Sequence, residues 1–122
     1  MQHAPRRTGR VESEASVVAR SLAFLEAQPD VYAMRNNVGA IKKGARYIKY
    51  GLGKGSADYV AIVAPHGRWL CLEFKRGDGG EQSEEQIAWI AKMRACGAVA
   101  GFCSSVEQVE ALLSEARKAV AA

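Results

Sequence analysis

The residues of this chain best suited to chemistry are Asp58, Glu73 and Lys75. Arg68 to Lys75 (RWLCLEFK) reads as a strand, and side chains alternate between the two faces of a strand. Trp69, Cys71, Glu73 and Lys75 then share one face, and Leu70, Leu72 and Phe74 the other. A carboxylate and an amine therefore point the same way at the end of an otherwise apolar strand. Asp58 opens the preceding apolar run DYVAIVA (58–64), and Pro65-His66-Gly67 reads as a turn joining the two strands in a hairpin. In such a hairpin the start of one strand lies beside the end of the other, so Asp58 is expected near Glu73 and Lys75. Carboxylates this close repel, and one pKa rises unless a cation lies between them. Mg²⁺ suits that position because it prefers carboxylate and water oxygens. Such an ion can activate a water and hold a phosphoryl oxygen, while an amine stabilises charge growing on phosphate or positions the attacking water. These are the parts needed to hydrolyse a phosphodiester. Alone, Glu-x-Lys on a strand is also a common solvated salt-bridge face, and an aspartate is also a loop cap; the combination is what points to hydrolysis.

The elements that must position these groups can be read from periodicity and punctuation. From Ser13 to Ala27, Val17, Val18, Leu22 and Leu25 recur at helical spacing, and Pro29 stops the helix. Val31 to Asn37 and Gly44 to Gly51 read as strands, with the loop GLGKGS before Asp58. The nearly continuous apolar character of 58–64 predicts a central strand. Ser83 with Gln86 fits a capping box, starting a helix that runs to Cys96 and ends at Gly97. Ala98 to Cys103 reads as a last strand. Ser104 with Glu107 fits a second capping box, before a helix burying Val106, Val109, Leu112, Leu113 and Ala116. The expected fold is α/β, a mixed central sheet flanked by helices in the order α-β-β-β-β-α-β-α.

The 122 residues make one domain, with a basic, flexible tail over 1–11 and the folded domain over 12–122. No apolar run reaches the roughly 18 residues of a membrane span, and no apolar segment follows the basic start, so neither a membrane partner nor a secretory signal is expected. The three cysteines, Cys71, Cys96 and Cys103, form no C-x-x-C pair and read as free thiols, which points to a reducing, cytoplasmic compartment. His3, in the tail, and His66, in a turn, are poorly placed for zinc. The net charge of +4 is compatible with a nucleic-acid partner. Its distribution says more. Val31 to Ala57 contains no Asp or Glu but carries Arg35, Lys42, Lys43, Arg46, Lys49 and Lys54, with Tyr47 and Tyr50 between them. A basic run is usually a solvated face, but an acid-free run directly upstream of a metal site fits a surface that tracks phosphates. GLGKGS fails the spacing of a Walker loop and lacks the last glycine of GxGxxG, so it reads as a turn that places Asp58.

Asp58 followed by Glu73-Phe74-Lys75 resembles the PD-(D/E)XK nuclease motif. The longer text is similar to the VRR-NUC family in its short phage-type form, through RNNVGA (35–40), RYIKYGLGKGSADYVAIV (46–63), LEFKRGDGGEQSEEQ (72–86) and GAVAGFCSSVEQVEALL (97–113). The resemblance covers most of the chain in the expected order, behind a helix that starts with a glutamate. It implies a restriction-endonuclease-like mixed sheet and a DNA endonuclease that depends on Mg²⁺, with Mn²⁺ able to substitute, and uses no organic cofactor. For the short phage forms it further implies homodimers acting on branched DNA such as four-way junctions, in the host cytoplasm. Carried over, Asp58, Glu73 and the Phe74 carbonyl are metal ligands, Lys75 is the catalytic lysine, and Glu14 is the helix-borne acidic ligand. Gln86 matches the glutamine that supports the lysine or water, alongside its reading as a helix cap. Arg35, Asn36, Lys42, Lys43, Arg46, Lys49, Lys54 and Arg76 are the expected DNA contacts. Ala57 departs from the proline usual before the motif aspartate, which loosens the turn but leaves the ligand.

Helical spacing separates Glu14 from Glu12. Val17, Val18, Ser21, Leu22 and Leu25 fall three, four, seven, eight and eleven residues after Glu14, on its own face. The same offsets from Glu12 reach Ala15, Ser16, Ala19, Arg20 and Ala23. Glu14 is thus expected to point at the sheet and Glu12 at solvent. The competing readings are a nonenzymatic DNA-binding module on the same fold and a protein-interaction module that uses the basic stretch.

Overall fold

The structure, a computed structural model, is described for residues 10–119. The expected tail lies outside the described residues except for Arg10 and Val11. The described residues form a small mixed α/β domain with three helices, α1 (Glu14–Glu26), α2 (Glu84–Ala95) and α3 (Val106–Arg117). Its main sheet contains β1 (Val31–Arg35), β4 (Tyr59–Val63), β5 (Arg68–Phe74) and β6 (Val99–Cys103), in the spatial order β1-β4-β5-β6. β4 runs antiparallel to both of its neighbours, β1 and β5, whereas β6 runs parallel to β5, which α2 makes possible by carrying the chain back across the sheet. β4 is internal, as its apolar run predicts.

The strand alternation divides two cores. Ala61, Val63, Leu70, Leu72 and Phe74 face one side, where Val17 and Leu25 of α1 and Val109, Leu113 and Ala116 of α3 bury them. Val60, Cys71 and Ala100 face the other side, under Ile90 of α2. The Phe74 ring meets that of Tyr59 edge-on with centroids 5.4 Å apart, which fixes the end of β5 where the candidate chemistry lies. Burial raises the thiols of Cys71 and Cys103 to about 11 and about 12, so both remain protonated hydrophobic fillers, while Cys96 is exposed. No helix of the described residues is long and apolar enough to cross a membrane.

The structure differs from the sequence reading in the strands between β1 and β4, in the cap of α3 and in the burial of that helix. A further strand, β2 (Gly39–Lys43), pairs with β3 (Arg46–Tyr50) in a separate two-stranded sheet, so the order is α-β-β-β-β-β-α-β-α. GAIKK has no alternating apolar pattern because both faces of this hairpin are solvated. What reverses the chain is Gly44, whose positive φ of 64° fits the two-residue loop between Lys43 and Arg46. The cap of α3 is also Ser105 and not Ser104: the Ser105 hydroxyl accepts from the Gln108 amide at 3.2 Å, and the Gln108 side chain accepts from the Ser104 amide at 2.6 Å. Val106 and Leu112 are only partly buried.

Ser21 lies on the buried face of α1, and its hydroxyl has no hydrogen-bond partner among the described residues. An unsatisfied buried hydroxyl costs about 1–3 kcal/mol, and alanine is also the better helix former. Ser21→Ala is expected to stabilise the fold by about 1 kcal/mol in urea unfolding; a loss of stability would show that the hydroxyl is satisfied in solution.

Candidate active site

The β4–β5 hairpin brings the acidic residues together through its register. Tyr59 pairs with Leu72, so the next position sets Asp58 opposite Glu73, on the face covered by α2. Asp58 is held by its neighbours. Its Oδ2 accepts from the Phe74 amide at 3.2 Å, and its carbonyl accepts from the Asn36 amide at 2.8 Å. The Asn36 side chain secures the loop before it, donating to Ser56 Oγ at 2.8 Å and the Ala57 carbonyl at 2.7 Å and accepting from the Leu52 amide at 3.1 Å. The loop also needs Gly55: a Cβ there would lie 2.5 Å from the Glu85 carbonyl oxygen in α2.

Glu73 and Lys75 are nearly withdrawn from solvent, at 4% and 8% exposure. Lys75 Nζ donates to Gln86 Oε1 at 2.9 Å and to the Glu81 carbonyl. Gln86 Nε2 donates to Glu73 Oε2 at 3.1 Å, and Gln86 Oε1 also accepts from the Ser83 amide at 3.0 Å. The same side chain thus completes the α2 capping box and bridges lysine to carboxylate. Burial raises the Glu73 carboxyl to about 8, helped by the charge of Asp58 and a hydrogen bond with it, and more weakly by Glu14; Lys75 offsets only part of this.

Glu14, Asp58, Glu73 and Gln86 line one pocket of about 670 Å³. Glu14 occupies its outer wall with Ala15, Val18 and Ala19 and is exposed, not buried against the sheet as its helical face predicts. The apolar stripe of α1 becomes buried only from Val17 onward, so its first turn stands at the open mouth. Glu12 is turned elsewhere: its carboxylate accepts from Ser16 Oγ at 2.6 Å and pairs with Arg20 at 3.1 Å, which lowers its pKa. Among the described residues no three His, Cys, Asp or Glu side chains approach closely enough to form a metal-binding group as they stand. The donors at the inner end are Asp58 and Glu73.

The expected DNA contacts separate into groups. Arg35, Asn36 and Lys54 line the pocket, although Lys54 is 3.5 Å from Glu85 and the Asn36 side chain is committed to the loop. Arg76 follows Lys75 and pairs with Asp78 at 3.1 Å. Lys42, Lys43, Arg46 and Lys49 all lie on the β2–β3 hairpin. Sequence reasoning missed Ser56 and the clamp role of Asn36, for which residue type carries no signal. Comparison with known proteins returns no match among family models, curated proteins or solved structures.

The raised Glu73 carboxyl has a measurable consequence. An acid whose pKa rises on folding stabilises the fold while protonated, and that stability is lost as pH climbs from the unfolded to the folded value. In EDTA the melting temperature should therefore fall from about pH 5 to pH 8 in step with the shift from 4.5 to about 8. The lowered carboxyls of Glu12, Asp30 and Glu85 act below that window, since they lose their stabilisation only in acid. Glu73→Gln should flatten the slope; an equal slope in variant and wild type would remove Glu73 as its source.

Proposed function

We propose that this protein is a divalent-metal-dependent DNA endonuclease of the PD-(D/E)XK type, with VRR-NUC as its family. The observation that carries the reading is the pairing of Asp58 with a buried Glu73 whose charge lacks a sufficient counterion, beside a buried lysine held by Gln86. The order of parts also supports it: a helix with Glu14 in its first turn, then a hairpin carrying Asp58 and Glu73-Phe74-Lys75, then a parallel strand behind a helix.

The residues fit Mg²⁺ or Mn²⁺. Their donors are hard oxygens, and Mg²⁺ is commonly held by one or two carboxylates while it retains several waters. Asp58, Glu73 and the Phe74 carbonyl are the direct ligands in this reading, and Glu14, on the outer wall, acts through water. The bound ion would supply Lewis-acid stabilisation of a phosphate oxygen and a more acidic water. Lys75 holds its ammonium at the buried end of the site, where a fixed positive charge acts with little screening on the developing phosphorane or orients the attacking water. Gln86 fixes both Lys75 and Glu73, so the lysine approaches in one geometry. The pocket opens beside a cationic segment, which favours a polyanionic substrate. Branched DNA and a homodimer are part of the same proposal, on the resemblance to short phage-type forms.

The test is incubation with four-way junction, flap, duplex and single-stranded DNA, with and without Mg²⁺ or Mn²⁺. Asp58→Ala, Glu73→Ala and Lys75→Ala should each slow cleavage by about 10²-fold or more while DNA binding survives, because affinity rests mainly on phosphate contacts. Ca²⁺ should support binding with little cleavage, since its longer, looser coordination does not fix the water. Full-rate cleavage by any of the three variants would sink the assignment, and metal-independent binding without cleavage would leave a nonenzymatic module.

The two helix glutamates give a sharper comparison. Glu12→Gln should be nearly as active as wild type, because Arg20 and Ser16 already engage Glu12 away from the pocket. Glu14→Gln should be severely impaired. The reverse ranking in an Mg²⁺ cleavage assay would show that α1 presents its other face to the reaction.

A further inference from the structure

The β2–β3 hairpin is an arm. Among the described residues its strands pair only with each other, and every residue from Ala40 to Tyr50 is exposed. The segments that enter and leave it, Arg35–Val38 and Lys54–Ser56, both line the active-site pocket, so the arm rises from the pocket rim. Its base is pinned by the bond from the Leu52 amide to Asn36 Oδ1 and by Gly51, where a Cβ would lie 2.3 Å from the Asn37 carbonyl oxygen and φ is +90°.

The ladder register sorts its side chains. Ala40 opposes Lys49 and Lys42 opposes Tyr47 on one face; Ile41 opposes Ile48 and Lys43 opposes Arg46 on the other. Each face thus carries two cations, and the arm carries no acid. Each also shows apolar or aromatic surface, with Tyr47, Ile41 and Ile48 at 67%, 59% and 43% exposure. A flat acidic partner would neutralise one face and leave the other in solvent. A second copy of the arm would oppose like charges. An anion present on both sides at once is the phosphate rim of a duplex groove.

Resting on the reading of DNA as substrate, we propose that the β2–β3 arm inserts into the major groove of duplex DNA next to the scissile phosphate. The B-form major groove, about 12 Å wide, admits a two-stranded ribbon, whereas the A-form major groove is too narrow and deep for side chains to read. Five-residue strands extend about 17 Å, close to half of a helical turn of about 34 Å. The arm therefore holds duplex through about half a turn from the pocket, with the cations on the phosphates and the isoleucines against base edges and thymine methyls.

The test is anisotropy titration in Ca²⁺ with fluorescent DNA duplex, double-stranded RNA of the same sequence and single-stranded DNA, across about 50–200 mM salt. Two variants are compared with wild type: Lys42→Glu, Lys43→Glu, Arg46→Glu and Lys49→Glu combined, and replacement of 40–49 by a short Gly-Ser link. Wild type should prefer the DNA duplex by about tenfold or more. Both variants should lose that preference at unchanged melting temperature, and the slope of log K against log salt should fall by about 3–4, at about 0.9 per lost contact. Duplex affinity and slope equal to wild type in both variants would overturn the proposal, as would a wild-type dimer that dissociates in the variants while duplex affinity is kept, which would make the arm a self-association surface. The two readings fail separately. Arm-dependent duplex binding without cleavage in Mg²⁺ or Mn²⁺ removes the nuclease and keeps the arm; cleavage with arm-independent binding does the reverse.

Discussion

Two carboxylates are forced together at one end of the β4–β5 hairpin, and one of them is nearly buried. Left alone this arrangement is unfavourable, because desolvation and like charge both oppose ionisation of Glu73. Much of the surrounding structure holds it in place. Leu70, Leu72 and Phe74 lock β5 from the opposite face of the sheet, so that Glu73 cannot turn outward without exposing that row. The Phe74 amide and Asn36 hold Asp58 at its post.

Gln86 joins the stability of a helix to the geometry of the site. A capping side chain usually serves only the orphan amides of the first turn. Here the oxygen that accepts the Ser83 amide also accepts the Lys75 ammonium, and the amide nitrogen reaches Glu73. Movement of the start of α2 would displace lysine and carboxylate together. The polar groups at the inner end of the pocket thus behave as one network, in which the effect of removing one member depends on the others.

The part of this arrangement legible in the sequence was the part governed by simple periods. The two-residue alternation of RWLCLEFK separated Glu73 and Lys75 from the leucines, and the tight turn at 65–67 brought Asp58 to Glu73. Ser83 and Gln86 were readable as a cap because that motif is local. Other features depend on where an element sits. Helical spacing put Glu14 on the apolar face, but could not show that the first turn of α1 stands at an open pocket mouth. β2 escaped notice because a strand solvated on both faces has no hydrophobic pattern to display. Asn36 gave no sign of its three bonds to a loop that follows it at a distance in sequence.

The arm has a different standing in the molecule from everything else described. Its side chains belong to neither core, and its backbone is satisfied by its own ladder. Substitutions on its surface therefore draw little on the stability that the rest of the chain must conserve. Residues such as Leu72 or Leu113 are constrained by volume, and those around Asp58 by hydrogen bonding, whereas the arm from Ala40 to Lys49 is constrained mainly by its turn and its pairing. Evolutionary change can accumulate there without passing through unfolded intermediates. Length, charge and surface chemistry of the arm can drift or be exchanged as a module while the scaffold beneath it stays fixed.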